Sequence, residues 1–154
     1  VKLHLTLSKQ EIASQIAILI NTYNGWKISY NFQSILNSNI NYFVELNQNL
    51  VIGCIGLQYE NNLNSKIVHL CVHNLYRRKG IGKKLITTVI NNCKTNEINT
   101  QIRNTNFNSL YLFYRLGFTN KSRFYIGQNL IICVSKTIGN VFNNGTIFYN
   151  NGVR

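Results

Sequence analysis

The feature that most limits the fold is the stretch at residues 67–90, IVHLCVHNLYRRKGIGKKLITTVI, in which a β-rich apolar run meets a turn holding Gly80 and Gly82 and then a helical pattern. Ile81, Leu85, Ile86, Val89 and Ile90 fall on one face of a helix running from about Gly80 to Asn92. A strand leading through a tight turn into an amphipathic helix calls for a sheet with helices packed against it. The turn puts the amides around its two glycines at a helix N-terminus. Unpaired N–H groups there, with the positive end of the helix dipole, suit a phosphate, and glycine lets the ligand approach the backbone with no Cβ in the way. Arg77, Arg78 and Lys79 before the glycines and Lys83 after them add charge.

The remaining segments complete an α+β pattern. KLHLTL at residues 2–7 alternates like a strand. SKQEIASQIAILINTYNGW opens with Ser8 and Glu11 at capping-box spacing and continues at helical intervals. NFQSILNSN reads as a short second helix. INYFVEL, NLVIGCIGLQY and KIVHLCVH are β-rich runs separated by NQN and ENNLNS, as in an antiparallel meander. INTQIRN reads as a further strand, NFNSLYLFYRLGF as a helix ended by Gly117, and SRFYIGQNLIICVS as a closing strand pair. From Thr137 the chain turns rich in Asn and Gly, so residues 137–154 are expected to form a small hairpin or tail after a domain spanning 1–136. The fold class that follows is α+β, with one mixed, mostly antiparallel sheet flanked by helices.

Composition narrows the partners. The net charge is +12, from 16 Lys and Arg against four acids, all of them Glu. That balance favours anionic ligands. No apolar run approaches a membrane span, and the N-terminal segment lacks the basic flank and long apolar region of a signal peptide. No membrane contact and a cytoplasmic location are therefore expected. Cys54, Cys71, Cys93 and Cys133 are far apart and form no ligand cluster, so they read as buried thiols and no metal site is expected.

RRKGIG also matches the Arg/Gln-x-x-Gly-x-Gly/Ala signature of the GCN5-related N-acetyltransferases (GNAT), and NFNSLYLFYRLGF resembles that family's second motif through Asn106, Ser109, Phe113, Gly117 and Phe118. The order of elements agrees from the first strand to about residue 135. The resemblance implies a GNAT-like acyl-CoA N-acyltransferase fold and transfer of the acetyl group of acetyl-CoA to a primary amine. In the family, the strand before the glycine turn splays from the next one, and pantetheine inserts there. By resemblance, Leu70, Cys71 and Val72 would supply backbone groups to pantetheine. Arg77, Arg78, Lys79, Gly80, Ile81, Gly82 and Lys83 would hold the pyrophosphate. Asn106, Ser109 and Phe113 would flank the arm and its thiol.

The catalytic positions depart from the family pattern. The usual acidic Tyr is Phe113, and the usual Glu on the preceding strand is Gln101. A further acidic position is Lys66. Tyr114 and Tyr111 lie close by, but each step along a helix turns a side chain by roughly 100°. His69 and His73 share a face with Cys71 by strand alternation, opposite Leu70 and Val72, which favours structural roles for both. Glu60 lies in the preceding turn.

The resemblance makes the acceptor pocket a product of residues 8–40 and of the hairpin near 121–130. These carry Tyr23, Trp26, Tyr30, Phe32, Arg123, Phe124 and Tyr125. Aromatics with few acids suit an acceptor bearing phosphate or sugar, such as aminoacyl-tRNA or a nucleotide-linked amino sugar, better than a polycation. The competing expectation is a catalytically weak or inactive domain that binds nucleic acid through its basic surface. Monomer and homodimer both fit the sequence.

Overall fold

The computed structural model describes residues 6–23, 25, 28–143 and 146–149. The strand expected at residues 2–7 falls largely outside them, and residues 6 and 7 are not in a strand. The chain then forms α1 (Lys9–Tyr23), α2 (Phe32–Leu36), β1 (Ile40–Asn47), β2 (Leu50–Tyr59) and β3 (Asn64–Val72). These are followed by α3 (Ile81–Asn92), β4 (Glu97–Arg103), α4 (Phe107–Arg115), β5 (Thr119–Ile126) and β6 (Asn129–Thr137). A short pair, β7 (Asn140–Asn143) and β8 (Thr146–Tyr149), closes the described chain as a separate antiparallel hairpin. The main sheet has six strands in the order β1-β2-β3-β4-β6-β5 and is mixed: β3 and β4 are parallel, whereas β4 and β5 both run antiparallel to β6.

Local chemistry starts and stops the helices as the sequence leads one to expect. Ser8 N–H donates to Glu11 Oε2 at 2.7 Å and Glu11 N–H donates to Ser8 Oγ at 3.2 Å, a complete capping box for α1. Asn31 and Ser34 cap α2 in the same reciprocal way. At the other end of α4, Gly117 adopts φ +87°. Its N–H donates to the Tyr114 carbonyl at 3.0 Å, and the Phe118 N–H donates to the Phe113 carbonyl at 3.1 Å. This pair of bonds is a Schellman motif, and its apolar contact is the edge-to-face pair of Phe113 and Phe118, with ring centroids 4.9 Å apart.

The chain groups into two compact units, each drawing on separate stretches of sequence. The first comprises residues up to 56 and 69–88. Its core joins Ala13, Ile16, Ala17, Leu19 and Ile20 of α1 to Ile35, Val51, Cys54 and Cys71. α3 comes so close to β2 that a Cβ on Gly53 would stand 2.9 Å from Ile81 Cγ2 and 3.0 Å from Leu85 Cδ1.

The second unit comprises residues 57–68 and those from 89 onward. Ile98, Ile102, Leu110, Phe113, Phe118, Ile131, Cys133 and Val134 are buried within its span. Buried polar side chains pair within it: Ser65 Oγ meets Thr95 Oγ1 at 2.7 Å, and Asn99 Nδ2 donates to the Ser65 carbonyl at 3.1 Å. All four cysteines are buried and free.

Candidate functional site

The glycine turn lies in the first unit and is built from backbone outward. After β3, residues Asn74–Tyr76 form a single 3-10 turn that His73 caps by accepting from the Leu75 N–H at 3.3 Å. Arg77 is extended, Arg78 turns to φ +62°, and Gly80 to φ +80°. The first helical bond of α3 runs from the Lys84 N–H to the Gly80 carbonyl at 3.0 Å. Helix geometry therefore leaves the amides of Ile81, Gly82 and Lys83 with no partner inside α3. Two left-handed residues ahead of a helix start curve successive amides into a concave donor set, the arrangement that binds anions. A Cβ on Gly80 would meet no atom within 4 Å, so that side of the turn is open.

The cations of the turn divide by role. Arg77 donates from Nε to the Val72 carbonyl at 3.0 Å, and its guanidinium lies 4.7 Å from the centre of the Tyr23 ring. It therefore ties the turn to the end of β3 and to α1, a use with no signal in local sequence. Lys79 lies 5.3 Å from the centre of the Tyr76 ring, and Lys84 pairs with Glu45 at 2.7 Å. Arg78 and Lys83 are exposed. The turn itself contains no acid. Amide donors, open space and uncompensated cations together fit a diphosphate.

β3 leads into this turn irregularly. Its parallel ladder with β4 pairs residues 64–67 with 97–100, and the register goes no further although β3 runs on to Val72. Two residues beyond the ladder, His69 adopts φ +54°, a conformation that side chains rarely take within a strand. Such a residue interrupts regular pairing, and backbone outliers of this kind concentrate at functional sites. Leu70, Cys71 and Val72 follow it directly.

The His69 side chain closes a cluster that the sequence does not announce. Its Nδ1 lies 2.7 Å from the Tyr42 hydroxyl and its Nε2 lies 3.1 Å from the Tyr30 hydroxyl, with the Tyr42 ring stacked on the imidazole. Tyr30 is held in turn by Asn21, which accepts from its N–H and donates to its carbonyl, both at 2.8 Å. Burial raises the Tyr42 pKa, so Tyr42 stays protonated. Burial also lowers the His69 pKa from its ordinary 6.5. Between the two values the unfolded chain binds a proton that the folded protein refuses, so stability falls as pH drops through about 6.5. Chemical denaturation at pH 8 and pH 5 should show that loss, and His69→Gln should flatten it; an unchanged slope in the variant would remove His69 as the cause.

Beside this cluster, the Cys54 thiol donates to the His69 carbonyl at 3.5 Å. Its interaction with the Cys71 thiol, with burial adding to the effect, raises the Cys54 pKa, and the same interaction, opposed by burial and assisted by Arg77, lowers that of Cys71.

The residues of the second motif lie in the second unit. Asn106 caps α4, its Oδ1 accepting from the Ser109 N–H at 3.3 Å. Phe113 is buried on the inner side of α4 with Leu110, while Tyr111 and Tyr114 stand exposed on the outer side. The Tyr114 hydroxyl donates to Asn120 Oδ1 at 2.6 Å. Gln101 is exposed on β4, and Glu60 accepts from Asn99 Nδ2 at 3.1 Å. Of the expected acceptor aromatics, Tyr23 accepts from the Asn74 N–H at 2.9 Å, Tyr30 joins His69, and Trp26 lies outside the described residues. Among the described residues no cluster of His, Cys, Asp or Glu could hold a metal, and no helix is long and apolar enough to cross a membrane.

No curated protein matches the sequence. Solved structures match it in fold. The ribosomal-protein-S18-alanine N-acetyltransferase of Escherichia coli superposes with a TM-score of 0.72 at 13% identity, over 86% of this chain and 91% of that one. The ribosomal-protein-alanine N-acetyltransferase of Brucella melitensis gives 0.70 at 18% identity, over 85% and 96%. A GNAT family acetyltransferase from Elizabethkingia anophelis, solved with acetyl-CoA bound, gives 0.57 at 18% identity, over 64% and 76%. The acetyltransferase (GNAT) domain matches residues 6–131, which is most of the sequence, and the chain belongs to that family.

Proposed function

We propose that this protein is an acetyl-CoA-dependent N-acetyltransferase that moves the acetyl group to a primary amine by direct attack. The observation that carries this reading is the glycine turn, where two left-handed residues set the first amides of α3 around an open, acid-free and cationic concavity. The amides of residues 78–83, with Arg78, Lys79 and Lys83, would bind the pyrophosphate. Arg77 would act by fixing the turn through its bond to the Val72 carbonyl. Leu70, Cys71 and Val72, beyond the end of the parallel ladder, would offer backbone groups to the pantetheine arm. Asn106, Ser109 and Phe113 are assigned to the same cofactor by resemblance alone.

Acetyl transfer requires a neutral amine nitrogen to attack the thioester carbonyl carbon. The C–S bond then breaks, the thiolate departs, and the nitrogen gives up a proton. A backbone amide of β3 would stabilise the oxyanion, and water would carry the proton away. Thiolate is a good enough leaving group to depart without the Tyr that Phe113 replaces. Tyr111 and Tyr114 face outward on α4, which argues against either as the acid. We assign the acceptor to amines bearing phosphate or sugar, because the surface is basic and aromatic.

Calorimetric titration with acetyl-CoA and with CoA, followed by an amine screen with thiol detection, tests both levels. Binding of both cofactors, with faster thiol release from anionic amines than from spermidine or Lys-rich peptides, is expected. A folded protein that binds neither would remove the enzymatic reading. Preference for the polycations would remove only the acceptor assignment.

A further inference from the structure

We propose that α4 and the edge strand β5 form a docking surface for single-stranded RNA, which does not depend on the cofactor reading. Phe107, Tyr111 and Tyr114 recur at positions i, i+4 and i+7 of α4 and are 74%, 63% and 41% exposed. They form one outward stripe, while Leu110 and Phe113 fill the inward side. A solvent-facing helix surface ordinarily carries polar or charged residues, and a row of uncovered rings marks an interaction surface.

At its Tyr114 end the stripe borders β5. The hydroxyl of Tyr114 donates to Asn120 Oδ1 at 2.6 Å, which ties the outer side of α4 to the start of that strand. β5 is the last strand in the sheet order and is exposed along nearly its whole length, with Tyr125 70% exposed.

Charge identifies the occupant. From Ile98 to the end of the chain there is no Asp or Glu. The Arg115 guanidinium lies 5.6 Å from the centre of the Tyr111 ring, so a cation and an aromatic face are already stacked. Arg123 stands exposed on β5, whereas Lys121 of the same strand is paired with Glu97. Exposed rings flanked by Arg115 and Arg123, with the one neighbouring acid, Glu97, taken up by Lys121, are what a single strand requires: each base offers a π-face to stack and each phosphate a charge to meet. An apolar protein partner would need the rings but not the cations beside them. RNA is the form in which single strands with splayed bases are commonly presented to proteins.

The test is fluorescence anisotropy of the full chain with labelled U15 RNA at 50 and 200 mM salt, set against Phe107→Ala/Tyr111→Ala and Arg123→Ala variants, with unlabelled heparin as a polyanion lacking bases. Wild type should bind, and affinity should fall with salt. The double aromatic variant should bind RNA at least about tenfold more weakly while melting at the wild-type temperature and keeping its heparin affinity. Arg123→Ala should weaken RNA and heparin alike. Unchanged RNA affinity in the aromatic variant would overturn the proposal, leaving a general polyanion surface. It would equally be overturned if U15 failed to bind, or if sedimentation showed that the rings pair two copies of the chain.

Discussion

Gly80→Glu is expected to weaken acetyl-CoA and CoA at least a hundredfold, about 3 kcal/mol, with the protein still folded. The expectation follows from the shape of the turn. A Cβ at Gly80 meets no atom within 4 Å, so the new side chain displaces nothing in the protein. Gly80 immediately precedes the free amides of α3, so a carboxylate there would reverse the sign of the field offered to a diphosphate. The φ of +80° adds a strain of roughly 1–2 kcal/mol for any L-residue. Gly80→Ala separates the two causes, because alanine carries the strain without the charge. Calorimetry should rank wild type above Ala and Ala well above Glu, with both variants melting a few degrees low. Equal losses in the two variants would make backbone conformation the cause. Full affinity in Gly80→Glu would move the phosphate site elsewhere.

How much of this was legible in the sequence depends on the range of each interaction. The α1 capping box, the start of α3 and the Gly117 stop of α4 are local devices, and each appears where its residues are spaced for it. The glycine turn belongs to the same class: Gly80 adopts a conformation glycine favours, for the reason glycine is used there. What spacing does not carry is chemistry assembled from distant segments. His69 is bonded to Tyr42, 27 residues away, and to Tyr30, 39 residues away. Its positive φ has little local signal either, since His adopts left-handed backbone more often than most residues but far less readily than Gly. Strand alternation groups His69 with Cys71. Tyr30 and Tyr42, the bonded partners of His69, pack against the core cluster that contains Cys71. Arg77 makes the same point from the other side. Sequence counts it as one more cation for a phosphate, whereas its Nε is bonded to the end of β3 and its guanidinium lies on Tyr23.

Phe113→Ala is expected to cost about 3–5 kcal/mol of folding stability, read as a shift in the urea midpoint. Phe113 and Phe118 are each 2% exposed, and their rings meet edge to face across the Schellman turn that ends α4. Removing one ring therefore opens a cavity and also deprives the helix stop of its apolar contact. A loss of that size is a large share of the 5–15 kcal/mol that holds a domain together, so Phe113→Leu is the variant to use when function is measured. Phe113→Tyr answers a different question. It restores the side chain that relatives commonly use as an acid, but its hydroxyl would enter a buried site, at a cost of about 1–3 kcal/mol if it finds no partner. Lower stability with an unchanged transfer rate is the expected result, and it would mean that the chain manages thiolate departure without an acid at this position. A faster rate with a new alkaline limb in the pH profile would show instead that position 113 reaches the sulfur, and that this chain works below the rate its own fold would support.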